Sequence, residues 1–113
     1  MNCLFCKIAQ GEISATVIFE DNDIMAFHDI QPQAPTHVLI IPKNHIATLN
    51  DTHDQDDQLL GRMVARARKL AQAEGLSEIG YRLVFNVNSG GGQVVYHIHL
   101  HLLGGRLMTW PPG

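Results

Sequence analysis

Three histidines in five residues, His97, His99 and His101 of Tyr-His-Ile-His-Leu-His-Leu-Leu, alternate with Ile98, Leu100 and Leu102. That is the period of a β-strand, so the three imidazoles are expected to leave one face and the apolar residues the other. Same-face side chains on a strand stand about 7 Å apart. They are close enough to act on one small group, and mutual repulsion discourages protonation of the whole set. At least one imidazole then stays neutral near pH 7, the state that attacks phosphorus or binds a metal. Chance is a poor explanation for such a cluster in a chain with seven histidines.

Three further features could carry chemistry. Cys3 and Cys6 form Cys-x-x-Cys, a spacing used in redox and in metal sites. No strand precedes it, as a thioredoxin-like context requires, and zinc would need two more ligands; reduced thiols with no ligand role are the alternative. The run Gly90-Gly91-Gly92 can turn backbone N–H groups towards a phosphate, although such a run alone is commonly just a flexible loop. Asp29 is a short carboxylate able to accept both hydroxyls of a ribose; beside a turn it serves equally well as a cap.

The elements that must position these residues follow from periodicity. Cys3 to Gly11 reads as a short helix closed by Gly11. Thr16–Glu20 and Ile24–His28 flank Asp21-Asn22-Asp23 as a hairpin. Asp29 to Pro35 is irregular because Pro32 and Pro35 remove donors and bias their neighbours away from helix. His37–Pro42, apolar on both faces, is a buried strand ended by proline. Leu60, Met63, Val64, Ala67, Leu70 and Ala71 recur at helical spacing, predicting an amphipathic helix over roughly 55–74, with Asp54, Asp56 and Asp57 at its positive end and Gly75 as its stop. Tyr81–Asn88 is a fourth strand, Ser89 to Gln93 a loop, and the histidine stretch, Tyr96 to Gly105, the fifth strand. The fold class expected is α+β, a five-stranded mostly antiparallel sheet with one long and one short helix.

Composition narrows the function. At 113 residues and 45% hydrophobic, the chain suits one domain, 1–113, with one core. A formal charge of -3 offers no basic field for a nucleic-acid polymer. No apolar run approaches membrane-spanning length, and the first residues lack the order of a signal peptide, so the expected location is the cytoplasm. In that reducing compartment the two cysteines are thiols or metal ligands.

His-Ile-His-Leu-His-Leu-Leu also matches the His-φ-His-φ-His-φ-φ signature of the histidine-triad family, φ being apolar. Phe27-His28-Asp29-Ile30, Pro32-Gln33-Ala34-Pro35-Thr36-His37, Ile41-Pro42-Lys43, Gly91-Gly92-Gln93, Leu103-Gly104-Gly105-Arg106 and Trp110-Pro111-Pro112-Gly113 resemble its Hint branch. The resemblance implies a homodimeric hydrolase of purine nucleoside 5'-phosphoramidates, such as AMP-NH2 or AMP-lysine, working through a nucleotidyl-histidine intermediate with no metal needed for the chemistry. Carried over residue by residue, it makes His99 the nucleophile, with His101, His97 and His37 as the other catalytic histidines. It gives Leu4, Phe5, Ile8, Phe27 and Ile30 as the slot for the base and Asp29 as the ribose ligand. It also implies that Asn86, Gly92, Gln93 and Val94 face the phosphate. Val94 departs from the pattern, since relatives carry Ser or another polar residue there; only its backbone N–H remains. Zinc-binding relatives imply a structural zinc on Cys3, Cys6, His45 and His97. Two other readings stand beside this one: a non-catalytic nucleotide-binding module on the same fold, and a metallohydrolase with catalytic zinc on His99 and His101. A dimer is also suggested by the open edges of such a sheet and by Trp110, which has little of its own core to pack against.

Overall fold

Alternation along the strands puts two different surfaces on one sheet. A computed structural model describes residues 2–113. Strands β1 (Val17–Glu20), β2 (Ile24–His28), β3 (Thr36–Pro42), β4 (Tyr81–Phe85) and β5 (Leu100–Gly104) lie in the order β1-β2-β3-β5-β4. Every neighbouring pair is antiparallel, as expected. The β1–β2 bend is held by Asp21, whose Oδ1 accepts from the N–H groups of Asp23 and Ile24, both at 2.8 Å. Those backbone donors lower the Asp21 pKa.

One face packs Ile24, Ala26, Val38, Ile40, Leu100 and Leu102 against helix α2 (Asp57–Ala73), which contributes Met63, Ala67 and Ala71. Their four-residue spacing keeps one stripe of the helix against the sheet. Val64, expected on that stripe, is instead exposed: one residue is a rotation of about 100° around a helix, which carries it off the buried line set by Met63. The helix starts at Asp57 after 3-10 turns at Leu49–Asp51 and Asp54–Asp56, and Gly75, at φ +74°, ends it. Among the described residues, no helix is long and apolar enough to cross a membrane.

The opposite face carries Met25, Phe27, Leu39 and Ile41, covered by helix α1 (Leu4–Ala9) through Phe5, Cys6 and Ile8. His101 belongs to this face, since it stands across from Leu39 in the ladder, and His37 is its diagonal neighbour on β3.

Two expected strands are shorter in the structure by several residues, and β1 by one. β4 stops at Phe85 rather than Asn88, because Asn88 turns at φ 59° into a 3-10 turn at Ser89–Gly91. β5 starts only at Leu100. His97 sits in a bend, and Ile98 donates its N–H to the Ile46 carbonyl at 2.7 Å, leaving the ladder for the loop after β3. Only His101 of the three histidines therefore lies on a strand. The tail crosses β4, where the Arg82 Nη2 donates to the Thr109 carbonyl at 2.9 Å, and it leaves Leu107 and Trp110 more than four-fifths exposed.

Candidate active site and metal centre

The bend at His97 separates the histidines into two groups. His97 is fully buried, and its Nε2 donates to the Pro42 carbonyl at 2.7 Å. That bond leaves the Nδ1 lone pair facing sulfur: it lies 3.4 Å from Cys3 Sγ and 3.5 Å from Cys6 Sγ, while His45 Nδ1 lies 3.3 Å from Cys6 Sγ. Zinc bonded tetrahedrally to thiolate and imidazole would hold S and N about 3.6 Å apart. All four donor atoms lie within 4.8 Å of one another. The residues fit a Cys2His2 metal centre, with Cys3, Cys6 and His97 buried and His45 exposed as a route of entry. A carbonyl fixing the distal nitrogen of a ligating histidine is the usual outer support of such a site. Burial and then the bond to Cys3 raise the Cys6 thiol pKa, so metal binding there would release protons.

The second group shares a cavity of about 510 Å³, the size of a small-ligand site. His99 Nδ1 donates to the His97 carbonyl at 2.8 Å, which leaves its Nε2 as the lone-pair nitrogen. The Gln33 backbone N–H donates to His37 Nδ1 at 3.0 Å, so neutral His37 carries its proton on Nε2. That Nε2 stands 2.9 Å from His101 Nδ1 and 3.5 Å from Asp29 Oδ2. His101 Nδ1 therefore accepts, and the His101 proton sits on Nε2, a buried atom with no hydrogen-bond partner among the described residues. A buried donor left unpaired costs about 1–3 kcal/mol, which a ligand oxygen would recover.

Burial is the largest cause of the lowered pKa values of His37, His97, His99 and His101. His101 is pushed furthest, to about 4, by burial and then by the adjacent His99 and His37. The group is thus neutral at pH 7, which goes further than the single neutral imidazole expected from spacing, because burial acts on every ring. A metal on His99 and His101 finds no third ligand with them in one cluster among the described residues, and the His101 nitrogen nearest other donors is already bonded to His37.

Most residues expected around a ligand line this cavity: Leu4, Phe5, Ile8, Phe27, Asp29, Ile30, His37, Asn86, Gly92, Val94, His99 and His101. Phe5 forms the wall between the two histidine groups, its ring centre 5.1 Å from that of His99 and 6.0 Å from that of His97. Ile30 is 89% exposed, so it borders the mouth rather than the depth of the slot. Asp29 also serves as a cap, with Oδ1 accepting from the Gln31 N–H at 2.8 Å.

The Gln93 side chain is placed apart from the other residues expected at the phosphate. It does not line the cavity; its Oε1 accepts from the Asn88 N–H, and its Nε2 donates to the carbonyls of Ala47 and Val95. A buried amide satisfied in this way braces the glycine loop. His97 likewise turns away from the cavity to the cysteines. The backbone N–H of Gln33 was not foreseen; its signal in the sequence was only that prolines hold the residues around it, at 32 and 35.

The family model for the HIT domain matches residues 10–108. The purine nucleoside phosphoramidase of Escherichia coli (strain K12) is 53% identical over 103 residues, 91% of this chain and 87% of that protein. The crystal structure of a HIT family hydrolase from Legionella pneumophila Philadelphia 1 superposes with a TM-score of 0.97 at 78% identity, covering 99% of this chain and 100% of that one. A Zn-bound histidine triad family protein from Mycobacterium smegmatis gives a TM-score of 0.83 at 35% identity, over 94% of this chain and 76% of that one. A signature of alternating histidines, a five-stranded antiparallel sheet with those histidines beside α1 where the chain enters β5, and these extended matches together place the chain in the histidine-triad (HIT) family.

Proposed function

We propose that this chain, a hydrolase, cleaves purine nucleoside 5'-phosphoramidates through a covalent nucleotidyl-His99 intermediate. The observation that carries the reading is the wiring of the histidines: a lone pair on His99 Nε2 beside a buried, unpartnered N–H on His101. Attack by His99 Nε2 forms the N–P bond as the P–N bond to the amine breaks, and the amine takes up a proton. Water then attacks the same phosphorus, forms the P–O bond, frees His99 and returns a proton, so the sum is hydrolysis. His101 Nε2–H donates to an oxygen of the phosphoryl group throughout, where a preorganised donor in a water-poor site is worth most.

The rest of the cavity suits the rest of the ligand. Phe5, Phe27, Ile8 and Leu4 offer flat apolar contact to a base, with Ile30 at its edge, and Asp29 retains lone pairs for the ribose hydroxyls. Asn86 and the backbone at Gly92 and Val94 supply donors to the phosphate. The purine nucleoside phosphoramidase from E. coli supports the same substrate class.

Zinc bound by Cys3, Cys6, His45 and His97 would supply a structural tie between the N-terminal segment and the sheet. The donor distances and the Zn-bound M. smegmatis relative support that assignment. One domain spans the chain, in a reducing cytoplasm that keeps thiolate ligands intact. A homodimer would cover the exposed Leu107 and Trp110 and bring each tail to the neighbouring subunit's ligand site.

Incubation with an alkyl phosphoramidate of AMP, quenched in denaturant at alkaline pH, should leave an AMP adduct on His99 by mass spectrometry. His99→Ala should lose the adduct and roughly a thousandfold in turnover, while nucleotide binding survives. An adduct elsewhere, or turnover within about tenfold, some 1.4 kcal/mol of barrier, would overturn the assignment. Nucleotide binding with neither adduct nor turnover in the unaltered protein would leave a binding module.

A further inference from the structure

The turn after β5 reaches back over the loop that sets the proton on His37. Gly105, at φ +91°, lies so close to Pro35 that a Cβ at this position would meet the proline Cβ at 2.8 Å. Only glycine both adopts that backbone and permits that approach. The approach places Arg106 over the loop, where its Nε donates to the Gln33 carbonyl at 2.9 Å and its Nη1 to the Leu107 carbonyl at 3.3 Å. Gln33 is thereby held at both ends, by its carbonyl on Arg106 and by its N–H on His37 Nδ1.

We propose that Arg106 is a positioning residue for the hydrolysis: by clamping Gln33 it selects the His37 tautomer, and through His37 it keeps the proton on His101 Nε2. The chain of bonds is continuous and directional. A guanidinium can only donate and a carbonyl can only accept, so the bond from Arg106 to Gln33 has one direction. A backbone N–H can only donate, so His37 Nδ1 must accept, and the proton of His37 is confined to Nε2, facing His101 Nδ1. His101 Nδ1 then accepts as well, and its own proton is confined to the atom that has no partner among the described residues. Released from Arg106, the Gln33 segment has its flanking prolines but no fixed carbonyl, and His37 is free to exchange tautomers. In the exchanged state His37 Nε2 would accept, His101 Nδ1 would carry the proton, and His101 Nε2 would present a lone pair to the phosphoryl oxygen instead of a hydrogen.

The claim rests on the phosphoramidase reading above, and two measurements separate their fates. With a phosphoramidate of AMP, Arg106→Ala should lower kcat about tenfold, with KM within about twofold of the unaltered protein. In a His101→Ala background the same substitution should cost nothing further, because the proton it governs is gone. Arg106→Lys, which keeps one donor, should fall between. Without substrate, 15N-histidine NMR at neutral pH should show His37 and His101 as single Nε2–H tautomers in the unaltered protein and as mixtures in Arg106→Ala. Pure Nε2–H tautomers in that variant, or an equal loss of kcat in the presence and absence of the His101 side chain, would overturn the proposal. The NMR result stands whether or not the phosphoramidate is the substrate; absent turnover in the unaltered protein would instead overturn the function.

Discussion

The two faces of the sheet are built from the same strands by opposite rules. Towards α2, β2, β3 and β5 bury an aliphatic set, Ile24, Ala26, Val38, Ile40, Leu100 and Leu102. Towards α1, the same strands supply Met25, Phe27, Leu39 and Ile41 but also His37 and His101, with His99 and the two cysteines beside them. Apolar burial without polar groups stabilises with no condition attached, whereas buried imidazoles stabilise only while neutral and hydrogen-bonded. The strand period of two lets one ladder do both, because a residue contributes to only one face. The difference teaches that stability and chemistry are divided across the thickness of the sheet, and a change on one face should be felt chiefly there.

The largest separation should come from the α2 face. Leu102→Ala, at a fully buried site, should cost about 2–5 kcal/mol of stability. At a temperature where the variant is still folded, kcat should stay close to that of the unaltered protein. A large loss of kcat at full folding would show that the two faces are not independent.

Metal removal tests the boundary between the two histidine groups on the α1 face. Protein purified without chelator should carry one zinc per chain by elemental analysis, and a Cys3→Ala/Cys6→Ala variant none. Zinc at about a hundred times its dissociation constant stabilises by about 2.7 kcal/mol, which thermal denaturation would read as a melting point lowered by chelation. Turnover should persist after chelation, since His97 and the cysteines turn away from the cavity. Protein without zinc would break the division of the histidines into a metal group and a chemical group.

The smallest effect expected is that of pH. His101 has a folded pKa of about 4, below the ordinary 6.5 of histidine. Between those values the unfolded chain binds the proton and the folded chain does not, so stability falls as the pH is lowered through this window. From pH 6.5 to 5.5 the loss from His101 should be no more than about 1 kcal/mol, less where the half-buried ring reaches solvent. Denaturant titrations at the two pH values would show it, and His101→Gln should reduce the difference. An unchanged difference would mean that His101 does not carry the acid sensitivity of this face.

Much of this arrangement was legible beforehand, and the exceptions have physical reasons. The hairpin, β3, α2 and the antiparallel sheet followed from periodicity and turn residues, because each is decided by a local pattern over several residues. Spacing indicated only that the histidines would not all be protonated together; that the rings are neutral follows chiefly from burial. The length of the histidine strand did not: Ile98 satisfies its N–H at the Ile46 carbonyl, a partner far away in sequence, and the strand loses two histidines to that single bond. Gln93 was assigned to the phosphate on its place in a motif, but an amide can brace a loop as readily as bind a ligand, and which it does depends on whether Asn88, Ala47 and Val95 surround it.

The sequence by itself determined which residue types alternate, and alternation determines which side chains share a face; the family signature and the antiparallel architecture came with it. Only the tertiary structure decided where each proton sits. An imidazole has two nitrogens of nearly equal basicity, and the choice between them is made by backbone carbonyls and N–H groups: Pro42, distant in sequence, for His97, and the neighbouring backbone of His97 and Gln33 for His99 and His37. Those partners are backbone atoms that every residue possesses, so no choice of side chain announces them, and folding alone puts them within about 3 Å.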